Sequence, residues 1–87
     1  MNEDEEYLKF AINGYKKSMA NNENIVYVGY EINELVGKLE FRLPLHVWSP
    51  FVDLMLEFAI ENELYEYCEP IQNLKLEVDK YVENYDV

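Results

Sequence analysis

The chain is short and strongly acidic, with 87 residues, 18 Asp and Glu against seven Lys and Arg, and a formal net charge of −11. Such a charge repels DNA, RNA and anionic membrane surfaces, and it speeds encounter with basic surfaces. Hydrophobic residues make up 49% of the chain, which is enough to pack a single domain over residues 1–87 and argues against disorder.

The first helix is predicted from apolar residues at helical spacing near the N-terminus. Asn2 is a suitable N-cap, and Glu5 lies three residues later, as in a capping box. Gly14 weakens the middle of this helix by about 1 kcal/mol relative to Ala. A loop is expected over residues 20–24. The helix face consists of Leu8, Ala11, Ile12, Tyr15 and Met19.

A β-hairpin is predicted next. Residues 25–32 are rich in β-branched and aromatic side chains, and residues 38–43 alternate strictly between apolar and charged side chains, which is typical of a half-buried strand. Residues 33–37 form the turn, and Pro44 ends the second strand. The face expected to be buried is Leu39, Phe41 and Leu43.

A helical alternative exists for residues 25–39, whose apolar positions also fit a helix and would make an all-α four-helix bundle. We favour the hairpin because a helix does not explain the alternation at 38–43. The predicted fold is therefore α+β: a helix, a β-hairpin and two further helices.

The two C-terminal helices are predicted from proline start signals and spacing. Ser49 and Pro50 favour the start of a helix that runs to about Tyr67, and this helix is apolar nearly all round, so we expect it to be buried. The last helix should begin near Pro70 and pack against the preceding one. Its seam consists of Leu74, Val78, Tyr81 and Tyr85.

Enzymatic chemistry has no supporting constellation. Cys68 and His46 are the only cysteine and histidine, and Glu66 and Glu69 flank the thiol with negative charge, which makes it a poor nucleophile. A structural role for Cys68 is favoured instead. The sequence lacks metal-ligand spacing and a glycine-rich phosphate loop. We expect no catalysis, no metal and no cofactor.

The acidic residues of the central third suggest a binding surface. Asp53, Glu57 and Glu61 follow one another at intervals of four and form a ridge, and no Lys or Arg occurs between Leu43 and Leu74. Tyrosine is a favoured interface anchor, and of Tyr65 and Tyr67 at least one should be partly exposed. The predicted partner-binding residues are Asp53, Glu57, Glu61, Glu63, Tyr65, Glu66, Tyr67 and Glu69.

The expected function is that of a small acidic inhibitor. Ridge carboxylates about 6 Å apart would match every second phosphate of a DNA strand, so the ridge would fit a groove built for nucleic acid. In size and charge the chain is similar to immunity proteins or antitoxins of nuclease toxins, and to phage anti-defence proteins such as anti-CRISPR proteins. The alternative is an assembly module that forms a homodimer through the C-terminal seam, with the acids serving solubility.

A cytoplasmic location, in the bacterial or host-cell cytosol, is expected. A single cysteine excludes an intramolecular disulfide, which suits a reducing compartment. The stretch from Met1 to Tyr7 is acidic rather than cationic, and no apolar run approaches the length of about 20 residues that spans a membrane.

Overall fold

The structure, a computed structural model, describes residues 3–85 with the exception of the side chain of Tyr30. Helices and strands follow the predicted order, which confirms the α+β class and does not favour the four-helix bundle. The main elements are α1 (Glu3–Ala20), β1 (Ile25–Asn33), β2 (Gly37–Pro44), α2 (Trp48–Glu61) and α3 (Cys68–Asn84).

Helix α1 packs on β1 through the face that its spacing predicts, with Leu8, Ala11, Ile12 and Tyr15 buried. The two elements approach closely at Gly14, where a Cβ atom would overlap the carbonyl oxygen of Tyr27. The expected N-cap, Asn2, lies outside the described residues. Gly14 is therefore required by packing rather than tolerated as a weak point of the helix.

The hairpin is antiparallel, and its register runs from Ile25 opposite Pro44 to Asn33 opposite Gly37, with a bulge between Tyr27 and Gly29. Its turn follows from local chemistry. The side-chain oxygen of Asn33 accepts hydrogen bonds from the backbone N–H groups of Leu35 and Val36 at 2.8 and 3.2 Å. Gly37 then adopts a φ of +84°, which a glycine reaches without steric cost.

Burial of β2 differs from the expectation of a half-buried strand. Leu39 is 39% exposed and Phe41 is 47% exposed, while Leu43 alone is half-buried against the core. The helices cover β1, whose Val26 and Val28 are buried, but they do not extend across β2. The alternating pattern therefore locates an apolar face correctly, although little in this chain covers it.

Helix α2 begins and ends earlier than predicted. It starts at Trp48, so Ser49 lies inside the first turn and its hydroxyl donates to Asp79 instead of capping the helix. Pro50 is tolerated in this turn, where its missing N–H would have no helical partner. The helix ends at Glu61 rather than Tyr67, because Glu63 adopts a φ of +56° and reverses the chain.

Helix α3 begins two residues before the expected Pro70 and packs against α2 as predicted. Leu74 and Val78 are fully buried in the core. Tyr81 stacks on Trp48 with ring centroids 5.3 Å apart and planes 4° apart, and Tyr85 lies against Tyr81. Leu74 and Val78 of the C-terminal seam are thus buried within the chain, whereas Tyr81 and Tyr85 remain partly exposed.

Trp48 lies at the centre of the core and joins all layers of the molecule. Its indole N–H donates to the carbonyl of Leu43 at 3.0 Å, and its own carbonyl accepts from the hydroxyl of Tyr15 at 2.9 Å. The Tyr15 ring meets the indole edge-on at 5.6 Å. These contacts fix the start of α2 relative to α1 and β2, and so determine which face of α2 points to solvent.

Candidate functional site

The predicted acidic ridge lies on the solvent side of α2. Asp53, Glu57 and Glu61 are all exposed, because the buried residues of α2, Val52, Met55 and Ala59, occupy the opposite side of the helix. At 1.5 Å of rise per residue, successive ridge positions lie about 6 Å apart along the axis. The ridge is therefore a continuous row on one helix, as the spacing predicts.

One ridge residue is neutralised within the chain, contrary to the expectation that no cation meets these acids. The ammonium group of Lys75 lies 2.8 Å from a carboxylate oxygen of Asp53 and 3.9 Å from one of Asp79. Lys75 also donates to the backbone carbonyl of Ser49 at 3.3 Å. Asp53 thus holds α2 to α3, and it contributes little free negative charge to the ridge.

The remaining two ridge residues form no ion pair with any residue in the described part of the chain. Exposed aliphatic side chains flank them: Leu54 is 57% exposed and Ile60 is 49% exposed. The expectation that α2 is buried nearly all round is therefore wrong on this side. We call the set Leu54, Glu57, Ile60 and Glu61 the α2 outer face.

A second acidic cluster forms where the α2–α3 connection meets the first turn of α1. The hydroxyl of Tyr67 donates to a carboxylate oxygen of Glu5 at 2.7 Å. The pKa of Tyr67 is raised to about 12, chiefly by burial, with further contributions from the hydrogen bond to Glu5 and from the negative charges of Glu5, Glu66 and Glu6. Three carboxylates thus act on one phenol, which indicates a concentrated negative potential.

Contacts between distant parts of the chain build this second cluster, and the sequence analysis missed the contribution of α1. Glu5 was assigned to a capping box, but its carboxylate accepts from Tyr67 and lies 3.8 Å from the ammonium group of Lys9. The acidic run from Glu3 to Glu6 at the start of α1 is the sequence feature that could have indicated this contribution. Nothing local links that run to Tyr67.

The two tyrosines of the connection differ in exposure. Tyr65 is 61% exposed, whereas Tyr67 is half-buried and internally bonded. The prediction that one of them is exposed is confirmed, but its helical reason is wrong, because both lie in a 3-10 turn after α2 has ended. Tyr65 therefore remains a candidate anchor, and Tyr67 serves the fold.

The other predicted acids lie around this connection. They are exposed, and they form no ion pair with a residue of the described range 3–85. These acids and the α2 outer face are the set of exposed residues between the middle of α2 and the start of α3 that we call the acidic side. These acids are Glu63, Glu66 and Glu69.

The residues considered for catalysis are not arranged as a site. Cys68 is half-buried and packs against the core at the start of α3, while His46 is exposed in the 3-10 turn before α2. Among residues 3–85, no group of three or more His, Cys, Asp and Glu is placed to hold a metal ion. No helix in the same range has the length and apolar character needed to cross a membrane.

Comparison with known proteins gives no match to a protein family, to a curated protein or to a solved structure.

Proposed function

We propose that this protein is a non-enzymatic, cytoplasmic binding protein that docks through its acidic side onto the basic surface of a nucleic-acid-handling protein. Glu57 and Glu61 carry the docking charge, and Leu54 and Ile60 supply apolar contact. Tyr65 extends the surface into the connection. Asp53 and Tyr67 hold the scaffold, because their polar groups are bonded within the chain.

The observation that carries this proposal is the composition of the α2 outer face. A face that served only solubility would gain from mixed charges and would not need exposed aliphatic side chains. Here two carboxylates without a partner in the described chain lie between a leucine and an isoleucine that are each about half exposed. Apolar contact beside charge complementary to the partner is found in specific interfaces.

The charge and spacing of the ridge support a partner that normally holds nucleic acid. Phosphates along a DNA strand are about 3.4 Å apart, and a nucleic-acid-binding groove places its cations to match them. Carboxylates about 6 Å apart would meet such cations at roughly every second phosphate position. The exposed acids of the connection, which follows α2 in the chain, add to this negative charge. An inhibitor of a nuclease, acting as an immunity protein, an antitoxin or a phage anti-defence protein of the anti-CRISPR type, fits this chemistry.

The test is capture of a partner from the source cell at low salt, followed by elution in a salt gradient. The test variant carries Glu57→Lys and Glu61→Lys together. The matched control carries Glu77→Lys and Glu83→Lys, which change the net charge equally at exposed positions of α3. We expect the test variant to bind the partner more weakly by several kcal/mol of binding free energy, and the control to keep most of the affinity.

Competition gives a second readout. If the partner's surface is built for nucleic acid, duplex DNA added to the captured complex should release the partner. Equal binding by the test variant and the control contradicts the assignment of the α2 outer face. A partner that DNA does not displace contradicts the nucleic-acid-handling class.

A further inference from the structure

The most exposed apolar surface of the molecule is the hairpin, which the acidic side does not include. Leu35 and Val36 at the turn are 93% and 66% exposed, and Ile32 beside them is 72% exposed. Leu39 and Phe41 add apolar surface along β2. The register places Ile32 opposite Lys38, on the other face of the hairpin from Leu39 and Phe41. The hairpin thus exposes apolar residues at its turn and on both faces, and exposed apolar surface marks an interaction site.

The edge of β2 is also open. In the described chain the sheet has only two strands, and β2 pairs with β1 alone. Helix α1 packs on β1 rather than on β2. Strand β2, with eight residues, is therefore an edge strand, and a strand edge of this kind is a template for another strand.

We propose that β2 pairs antiparallel with β2 of a second copy of this chain, so that two hairpins form a four-stranded sheet about a two-fold axis. A second copy is the occupant because the strand is complementary to itself. In such a pair, residues directly opposite each other share a face of the sheet. A two-fold axis perpendicular to the sheet therefore places even-numbered residues opposite even-numbered ones, and odd-numbered residues opposite odd-numbered ones.

Charge selects the register. Centring the axis on Phe41 places Glu40 opposite Arg42 of the other copy on both sides of the axis, and Leu39 opposite Leu43. Centring it on Glu40 would instead place that carboxylate opposite its own copy, and Lys38 opposite Arg42. Opposite charges facing across strands stabilise a sheet and like charges destabilise it, which rules out the Glu40-centred register. An axis on Leu39 would also place Lys38 opposite Glu40, but it pairs only residues 37–41 of β2. The Phe41-centred register is favoured because it pairs the longer stretch 38–44.

The same strand is where two acidic copies can approach most easily. Each copy carries a formal charge of −11, but β2 holds two cations and one carboxylate. Within one copy, Glu40 lies 3.6 Å from Lys38 and 3.2 Å from Arg42, so these groups are already aligned along the sheet. The repulsion between copies is weakest at this edge.

The first experiment follows the sedimentation coefficient of the purified full chain from about 10 µM to 1 mM, the range in which a small interface dissociates. We expect a concentration-dependent dimer that higher salt strengthens, because salt screens the repulsion between two acidic copies. Docking of the acidic side to a basic partner should show the opposite salt dependence. Failure of one proposal is thereby distinguishable from failure of the other.

Two charge variants test the register. Arg42→Glu and Glu40→Arg each place like charges opposite each other, so each alone should be monomeric, whereas an equimolar mixture should form a heterodimer with both pairs restored. The matched control is Leu76→Lys on α3, a residue 70% exposed outside the hairpin, which should dimerise like the parent. Circular dichroism confirms that every variant is folded.

Cross-linking tests the axis directly. In a Cys68→Ser background, Phe41→Cys should form an intermolecular disulfide under mild oxidation, because the two copies of this residue face each other. Leu39→Cys faces position 43 and should cross-link much more slowly. Rapid cross-linking of Leu39→Cys, or a mixture of charge variants that stays monomeric, overturns the register.

A parent chain that stays monomeric at 1 mM in high salt overturns the proposal as a whole. A dimer that survives Arg42→Glu unchanged overturns it equally.

Discussion

Substituting Gly14 by alanine separates two physical arguments that predict opposite changes in the free energy of unfolding. From helix propensity alone, Ala in place of Gly in the middle of α1 should stabilise the protein by about 1 kcal/mol. In the structure, the new Cβ would overlap the carbonyl oxygen of Tyr27, and it would lie 3.5 Å from a methyl group of Val26. Because Tyr27 is held in the hairpin register opposite Arg42, its carbonyl cannot turn away cheaply.

The magnitude follows from these two terms. Overpacking against a fixed neighbour costs about 1–3 kcal/mol, and sometimes more. The overlap here is with a backbone atom, so the upper part of this range, about 2–3 kcal/mol, applies. After the gain in propensity of about 1 kcal/mol, we expect Gly14→Ala to lower the free energy of unfolding by about 1–2 kcal/mol. In a domain of this size each kcal/mol changes Tm by about 4–8 °C, so the melting temperature should fall by about 5–15 °C in a circular-dichroism melt.

The control is Asn13→Ala, at the exposed neighbouring position of the same helix. It receives a propensity gain of about 0.5 kcal/mol without meeting the strand, so its Tm should rise by a few degrees. If Gly14→Ala melts at or above the temperature of the parent, α1 does not approach β1 as closely as described, and the packing argument fails.

Two further predictions concern the tyrosines. Tyr81→Ala removes the stack on Trp48 and the 2.7 Å hydrogen bond to the carbonyl of Glu23. Urea unfolding, followed by the fluorescence of the single tryptophan, should show that the free energy of unfolding falls by about 2–3 kcal/mol. Tyr81→Phe keeps the stack and should keep most of the stability of the parent. Because the pKa of Tyr67 is raised from 10.0 to about 12, folding favours its neutral form, so its stabilising contribution is complete below about pH 10 and is lost as the pH rises toward 12. Urea midpoints between pH 8 and 12 should therefore fall more steeply for the parent than for Tyr67→Phe, and equal slopes would contradict the shift.

Most of the fold could be predicted because its elements carry local signals. Alternation over residues 38–43 identified β2, and Gly37 after Asn33 suited a tight turn. The end of α2 could not be predicted in this way, because Glu63 takes a left-handed φ that is uncommon for a residue with a side chain. The backbone N–H of Leu64 then donates to the carbonyl of Ala59 at 2.8 Å, and this local bond completes the helix end.

The exposure of single residues in the candidate site could be predicted from the sequence. Exposure of Glu57 and Glu61 follows from their helical spacing. The contacts that remove other residues from the surface were not predictable, because they join positions 22 and 62 residues apart: Lys75 with Asp53, and Tyr67 with Glu5. A sequence pattern reports which face a residue occupies, and it does not report which distant element meets that face.

Charge is distributed unevenly over the molecule, and this unevenness gives the two proposed surfaces opposite physical behaviour. The α2 outer face presents carboxylates to solvent, so its attraction for a basic partner must weaken as salt screens it. The β2 edge brings two acidic molecules together, so its pairing must strengthen under the same change. A dimer built on β2 presents the α2 outer face twice, so a partner with two basic sites within reach of one dimer would be held more tightly than either face alone could hold it. Arg42→Glu removes the dimer and leaves the α2 outer face unaltered. If this variant binds such a partner more weakly than the parent does, the two surfaces act together.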